Sequence, residues 1–289
     1  MPNTINAASL AHHRFLMLGP IGSGKTAQFL TLPGSKFMYI FDANSLPTLR
    51  GHDVDYEIFL PKDLNLDVRS LEKEKGSDQH KGKKIMQTKP ETYTNWEKDF
   101  SSRNLDKYDN IGFDSITTFL DLIMDYVLTI NGRPGQWPNQ DDYGPQMVTF
   151  TNVMRSINSL GKTLYCTGHI EHIQDELSKK VWWMPIMTGR LKAKIPLLFS
   201  DILGTAHEVD KDGQSLYTIQ TKPAKEIPTI RCSIRGLEMY ENGSINWDDE
   251  VIGQGLGGIL GWEAEQIAAE QKKGGNPQAK VSQAAKAKK

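Results

Sequence analysis

The sequence predicts an α/β protein: a mostly parallel sheet with helices on both faces and an antiparallel hairpin toward its C-terminal end. Three observations carry that expectation. Short, continuously apolar runs recur at Phe15 to Leu18, Lys36 to Phe41, Asn110 to Phe113 and Thr163 to Cys166. Two amphipathic segments separate the last two runs, and a glycine-rich turn joins the first run to a helix. Strands that read apolar throughout are covered on both faces, which parallel sheets with helical crossovers accomplish.

Each element follows from its own residues. Phe15 to Leu18 and Lys36 to Phe41 are the first two strands, and Ala27 to Leu32 is a short helix that Pro33 and Gly34 end. From Pro61 to about Lys107 the text turns polar. Its charges, such as Glu72 to Lys75 and Lys81 to Lys84, have no period, which predicts a solvated insertion at 61–107. After the third strand, Ile116, Phe119, Leu120, Ile123, Met124, Val127 and Ile130 fall on one helix face. Met147, Phe150, Met154, Ile157 and Leu160 repeat that spacing, and Gly161 stops the second helix before the fourth strand. Ile202 to Val209 and Leu216 to Thr221 flank the turn Asp210 to Gly213 and read as the hairpin. The expected organisation is an arm at 1–13, a domain at 14–250, and a C-terminal helix with a tail at 251–289. From about Gln271 the tail carries lysines and no acid, which predicts disorder.

Composition narrows the function classes. Lysine plus arginine number 34 against 35 acidic residues, a formal charge of −1, so attraction to nucleic acid would have to come from local patches. Two cysteines, Cys166 and Cys232, exclude a disulfide framework or a cysteine zinc site and point to a reducing compartment, the cytoplasm. No apolar run approaches the roughly 18 residues of a membrane span. The first residues lack the basic-then-apolar order of a secretory leader, so none is expected.

The strongest chemical signal is the run Gly19, Pro20, Ile21, Gly22, Ser23, Gly24, Lys25, Thr26, which matches G-x-x-x-x-G-K-[ST] at every fixed position. It follows a strand and opens a helix at Ala27, the context in which backbone N–H groups converge on phosphate oxygens and the helix start adds positive potential. Lys25 can reach the β- and γ-phosphates, and Thr26 can offer its hydroxyl to Mg²⁺. Gly19 to Ala27 are therefore the expected ATP-binding residues. Asp114 ends the third strand, beside the P-loop in a parallel sheet, where it would serve the metal; it or Ser115 could also cap the helix that follows. Asp42 or Asn44, at the end of the second strand, could orient an attacking water. His169, ending the fourth strand, could bond the γ-phosphate or merely the backbone.

These motifs, with Phe41 to Gly51, Gly112 to Thr117, Thr167 to His169, Thr188 to Lys192 and Pro196 to Asp201, resemble the RecA-type branch of P-loop ATPases. More narrowly, the chain is similar to bacteriophage nucleotide-binding proteins of that branch, some linked to single-strand annealing and recombination. The resemblance implies a RecA-like fold, hydrolysis of ATP with Mg²⁺, and a polar γ-phosphate sensor at His169. It implies a glutamate base where this chain has Asn44, an amide that cannot accept a proton as a carboxylate does. Asp42 would then substitute, or turnover would be slow.

The resemblance also places DNA on loops near the nucleotide. One candidate is Asn131 to Pro138, with Arg133 and Trp137. The other is Ile170 to Lys194, with Lys179, Lys180, Trp182, Trp183, Arg190, Lys192 and Lys194. Aromatics among cations suit single-stranded DNA, although Trp182 and Trp183 could equally belong to a strand. In an assembly of identical subunits, Lys222 and Lys225 match the position of a trans-acting cation, with Arg231 and Arg235 as weaker alternatives. The leading expectation is a DNA recombination or annealing ATPase. The alternatives are a nucleotide-gated interaction module and a small-molecule kinase, which the lack of an arginine cluster disfavours.

Overall fold

Side chains along β1 (Arg14–Gly19) alternate between two cores, because successive residues of a strand point to opposite faces. Leu16 and Leu18 enter one core, and Phe15 and Met17 the other. β2 (Lys36–Ile40) repeats the pattern, with Phe37 and Tyr39 on the first side and Met38 and Ile40 on the second. A sheet buried on both faces follows. The computed structural model describes residues 12–60, 91–174, 181–187, 191–224 and 227–273.

β3 (Asp55–Ile58) pairs in parallel with β2, which pairs with β4 (Asn110–Asp114). β5 (Thr163–Gln174) lies between β4 and β1, and β7 (Asp201–Val209) completes the parallel part beside β1. β8 (Ser215–Gln220) and β9 (Tyr240–Asn242) then add antiparallel strands, with the expected turn at Asp210 to Gly213 between β7 and β8. The order β3-β2-β4-β5-β1-β7-β8-β9 is the mixed, mostly parallel α/β sheet that the sequence predicts, consistent with a RecA-like P-loop fold.

One face carries α1 (Lys25–Leu30), α2 (Leu46–Leu49) and α7 (Gly255–Lys273), whose Phe29, Leu49 and Leu256 share a core. The other carries α3 (Glu91–Ser102), α4 (Ile116–Ile130) and α5 (Tyr143–Asn158), followed by the single turn α6 (Leu191–Lys194). α4 has the bounds its periodicity predicts, and Ser115 caps it by accepting the Thr118 N–H at 3.3 Å. Among the described residues, no helix is long and apolar enough to cross a membrane.

Three expectations need correction. Residues 61–90 of the expected polar insertion lie outside the described residues, but 91–107 is not solvated loop. α3 buries Tyr93 and Trp96, and Leu105 and Tyr108 close the same core. The expected loop from Ile170 to Lys194 is partly strand. β5 runs on past His169 to Gln174 and pairs antiparallel with β6 (Val181–Pro185), which contains Trp182 and Trp183. Residues 271–273, placed at the start of the expected tail, belong to α7, which reaches Lys273. Residues 1–11, most of the expected arm, and 274–289 lie outside the description.

α7 is fastened by close polar contacts. Gly257 sits where a Cβ would come within 1.9 Å of the Thr31 carbonyl oxygen, so only glycine permits this approach. At the other end of the sheet, His13 donates from Nδ1 to Asp201 at 3.0 Å and from Nε2 to Glu263 on α7 at 2.9 Å. Burial works against charge on His13, but the two carboxylates outweigh it and raise its pKa. Asp201 is buried, yet hydrogen bonds from His13, Ser200 and Ser233 hold it down at about 2. The His13 contribution is therefore complete below its unfolded value near 6.5 and fades as pH rises through the raised folded value. The Asp201 contribution is complete above its ordinary value of 3.8 and fades as pH falls toward 2. Hydrogen exchange of the amides from 255 to 263 should quicken as pH rises above about 6.5, beyond the intrinsic base catalysis. His13→Ala should remove that excess and lower stability by about 2 kcal/mol. An unchanged pH profile in that variant would refute the assignment.

Candidate functional site

The carboxyl ends of β1, β4 and β5 meet at one cavity of 1100 Å³, with Pro20 to Gln28, Asp42, Asn44, Asp114 and His169 among its lining residues. Open parallel sheets gather ligands at this edge. The turn after β1 needs glycine twice. Gly22 and Gly24 have φ of 78° and 84°, values that side chains with a Cβ rarely adopt. Gly19 is required for a different reason, since a Cβ there would lie 2.3 Å from Thr205 Oγ1. Ser23 closes the turn from within, with its hydroxyl 2.7 Å from that of Thr205 and 2.8 Å from the Pro20 carbonyl.

Lys25 folds back into this loop. Its Nζ donates to the Gly19 carbonyl at 2.9 Å and to the Pro20 carbonyl at 2.7 Å, and its side chain is buried. Burial lowers its pKa to about 8, against the opposing attraction of Asp114. The Tyr165 phenol, buried in β5, donates to the Lys25 carbonyl and ties the start of α1 to the sheet. The next residue, Thr26, donates its hydroxyl to Asp114 Oδ2 at 2.6 Å, and Thr167 donates to Asp114 Oδ1 at 2.5 Å. Both carboxylate oxygens are thus held in place, with one of them against Thr26. With Ser115 acting as the helix cap, Asp114 is left for the cavity.

These are hard oxygen donors, the type that magnesium prefers. Thr26 and Asp114 fit such an ion, and the glycine turn, where a Cβ at Gly22 would meet nothing within 4 Å, leaves space beside it. Among the described residues, no group of three or more His, Cys, Asp or Glu could hold a metal by itself. An ion here would need other ligands, such as phosphate oxygens.

The remaining expected residues divide. His169 stands at the register position opposite Gly19, and its backbone N–H donates to Thr117 Oγ1 at 3.1 Å. Burial, then the Lys25 cation, lower its imidazole pKa, so it is neutral at pH 7. Asp42 accepts the Asn44 N–H at 3.0 Å as the cap of a short turn, and both residues line the cavity. Trp183 also lines it, with Ile170 and Ile186, so the root of the β5–β6 hairpin is a wall of this cavity.

Among the described residues, the other cationic candidates stand at separate places in the fold. The Arg133 guanidinium is bound to both oxygens of Asp142, a buried carboxylate that also accepts from Asn131 and Asn139. Arg133 thereby pins its loop. Trp137 is half exposed in the same loop. Lys192 pairs with Glu171 at 2.8 Å, and Lys194 is exposed. Lys179, Lys180, Arg190 and Lys225 lie outside the described residues, and no side-chain statement applies to Trp182. Lys222 is exposed just beyond β8, as is Arg235, whereas Arg231 donates to the Phe199 carbonyl.

Sequence reasoning placed Ser23 in the loop but missed its partner Thr205, and it missed Tyr165, Gln28 and the lining residues Tyr217, Gly243, Ile245 and Trp247. Thr167 gave a signal: two residues before His169, it shares that residue's strand face.

A family profile described as an AAA domain matches residues 11–229. No curated protein matches the chain. Among solved structures, the chain is similar to the flagellar accessory protein FlaH from Methanocaldococcus jannaschii, at 14% identity. That match covers 81% of this chain and 85% of the other, with a TM-score of 0.38.

Proposed function

The chain belongs to the AAA domain family, and from that premise we propose that it binds ATP with magnesium and hydrolyses it as a DNA recombination or annealing ATPase acting on single-stranded DNA. One observation carries the nucleotide part. Thr26 and Asp114 meet at 2.6 Å beside the buried Lys25, in a cavity lined by Pro20 to Gln28.

The roles follow from the chemistry. Lys25 exchanges its two loop carbonyls for phosphate oxygens, against which its charge is better matched. Thr26 and Asp114 would hold magnesium, which would supply positive charge to offset that of the phosphates. Thr167 fixes the carboxylate that does so. His169, neutral, donates or accepts one hydrogen bond at the γ-phosphate end. Asp42, which lines the cavity, is the carboxylate assigned to take a proton from water, and Asn44 can orient that water without accepting its proton.

The DNA part rests on the sequence resemblance and on the cations between 170 and 194. Assembly into a homo-oligomer, with Lys222 and Lys225 reaching a neighbour's site, belongs to the same reading. A second reading, a nucleotide-gated module with little hydrolysis, is favoured by one detail: the Asp42 carboxylate is already occupied in capping the Asn44 turn.

ATP turnover and particle mass, each measured with and without single-stranded DNA, test these readings. Turnover that rises several-fold together with mass on adding DNA is expected. Tight ATP binding with no phosphate release at any DNA concentration would select the module. No binding of ATP at all would end both.

A further inference from the structure

The cavity is far larger than a triphosphate needs, and its far wall has a different chemistry. Tyr217 on β8 lies against the start of α1, its ring carbon 3.3 Å from where a Cβ of Gly24 would stand. Its ring stacks on His207 at 4.6 Å, which fixes its plane. The chain leaving β9 then passes before α1, and Gly243, Ile245 and Trp247 line the same cavity as the P-loop. Trp247 bridges to His52 beyond α2, with ring centroids 5.6 Å apart, and remains half exposed.

This segment is built in rather than draped on. The buried Gln28 of α1 donates to the Gly243 carbonyl at 2.7 Å and accepts the Leu256 N–H at 2.9 Å. The Tyr217 carbonyl accepts the Gly243 N–H at 2.8 Å, and the Tyr217 N–H reaches Ser244 Oγ at 3.1 Å. One side chain of the P-loop helix thus sets the distance between the phosphate turn and an aromatic wall. The segment from 243 to 247 lies beyond the 11–229 match, so the family relationship does not assign it.

We infer that Tyr217, Ile245 and Trp247 form the seat of the nucleobase, holding a flat heterocycle by stacking and apolar contact while the P-loop holds the phosphates. This rests on the ATP-binding reading and extends it. The wall bears no charged side chain among these residues, and two aromatic faces are what an unsaturated ring system stacks upon. A phosphate chain alone would gain nothing from them.

Comparing two ligands separates the halves of the site. Binding of ATP and of inorganic tripolyphosphate, both with Mg²⁺, is measured by calorimetry for the parent, Tyr217→Ala and Trp247→Ala. Each substitution should weaken ATP about tenfold, within the range of one lost stacking contact, and leave tripolyphosphate within about twofold. Tyr217→Phe and Trp247→Phe should restore ATP affinity, which excludes simple misfolding. Equal loss for both ligands, or no loss for ATP, overturns the nucleobase seat while leaving the phosphate site standing. A parent chain that binds neither ligand overturns both.

Discussion

Lys25→Ala lowers ATP affinity by at least about a hundredfold and abolishes turnover, with little change in thermal stability. The lysine is buried, and its ammonium rests on two carbonyls, at 2.9 and 2.7 Å. Removing it also removes the cost of burying a charge, which offsets the two lost bonds, so folding loses little. Binding loses two charge-assisted hydrogen bonds of about 1.5–3 kcal/mol each. At about 1.4 kcal/mol per factor of ten, that is two to four orders of magnitude in affinity. Because burial lowers the empty-site pKa to about 8, the same affinity should decline as pH rises past 8, where binding must first restore a proton. Calorimetric titration from pH 7 to 9.5 measures both effects. A variant that binds ATP as tightly as the parent would remove the phosphate assignment and everything built on it.

Trp96→Ala lowers the unfolding free energy by about 4 kcal/mol, the range for emptying a large aromatic from a packed core. Trp96 is 1% exposed and sits among rings from four elements. It meets Phe119 edge-on at 4.6 Å, stacks on Phe100 at 5.3 Å, and lies 6.0 Å from both Tyr39 and Phe113. Its indole N–H has no hydrogen-bond partner among the described residues. Trp96→Phe keeps most of the ring contact and deletes that N–H, so it should cost less than about 1.5 kcal/mol. Urea unfolding of the two variants tests the contrast. Equal losses would mean that the ring cluster around α3 does not hold the sheet face.

α3 also shows why part of the fold escaped the sequence reading. Tyr93, Trp96 and Phe100 have helical spacing, but they follow a long charged stretch and sit among Glu91, Glu97, Lys98 and Asp99. A polar average over 61–107 hides the one apolar stripe that it contains. β1, β2, β4 and the first part of β5 were legible because each is a mainly apolar run with a turn at its end, whereas β3, which carries Asp55 and Glu57, gave no such run and went unread. The phosphate half of the site was legible for a related reason: its constraints fall on eight consecutive residues. Asp114 could be placed because strand ends converge in any parallel sheet.

The aromatic wall had no such local mark. Tyr217 and Trp247 are separated from Gly24 by roughly two hundred residues and meet it only through Gln28 and the order of the strands. The pairing of Arg133 with Asp142 was equally unmarked: the two residues lie nine apart across a Gly- and Pro-rich loop.

β5 has one further consequence. Its backbone continues without a break from the core of the sheet, past His169, to Gln174, where it belongs to a second, smaller sheet. Five residues at about 3.3 Å each make a spar about 17 Å long, rooted at the phosphate edge and stiffened by its pairing with β6. A spar without a joint cannot be tilted at its tip and stay still at its base. Any load on the outer hairpin is felt first where Thr167 and His169 stand.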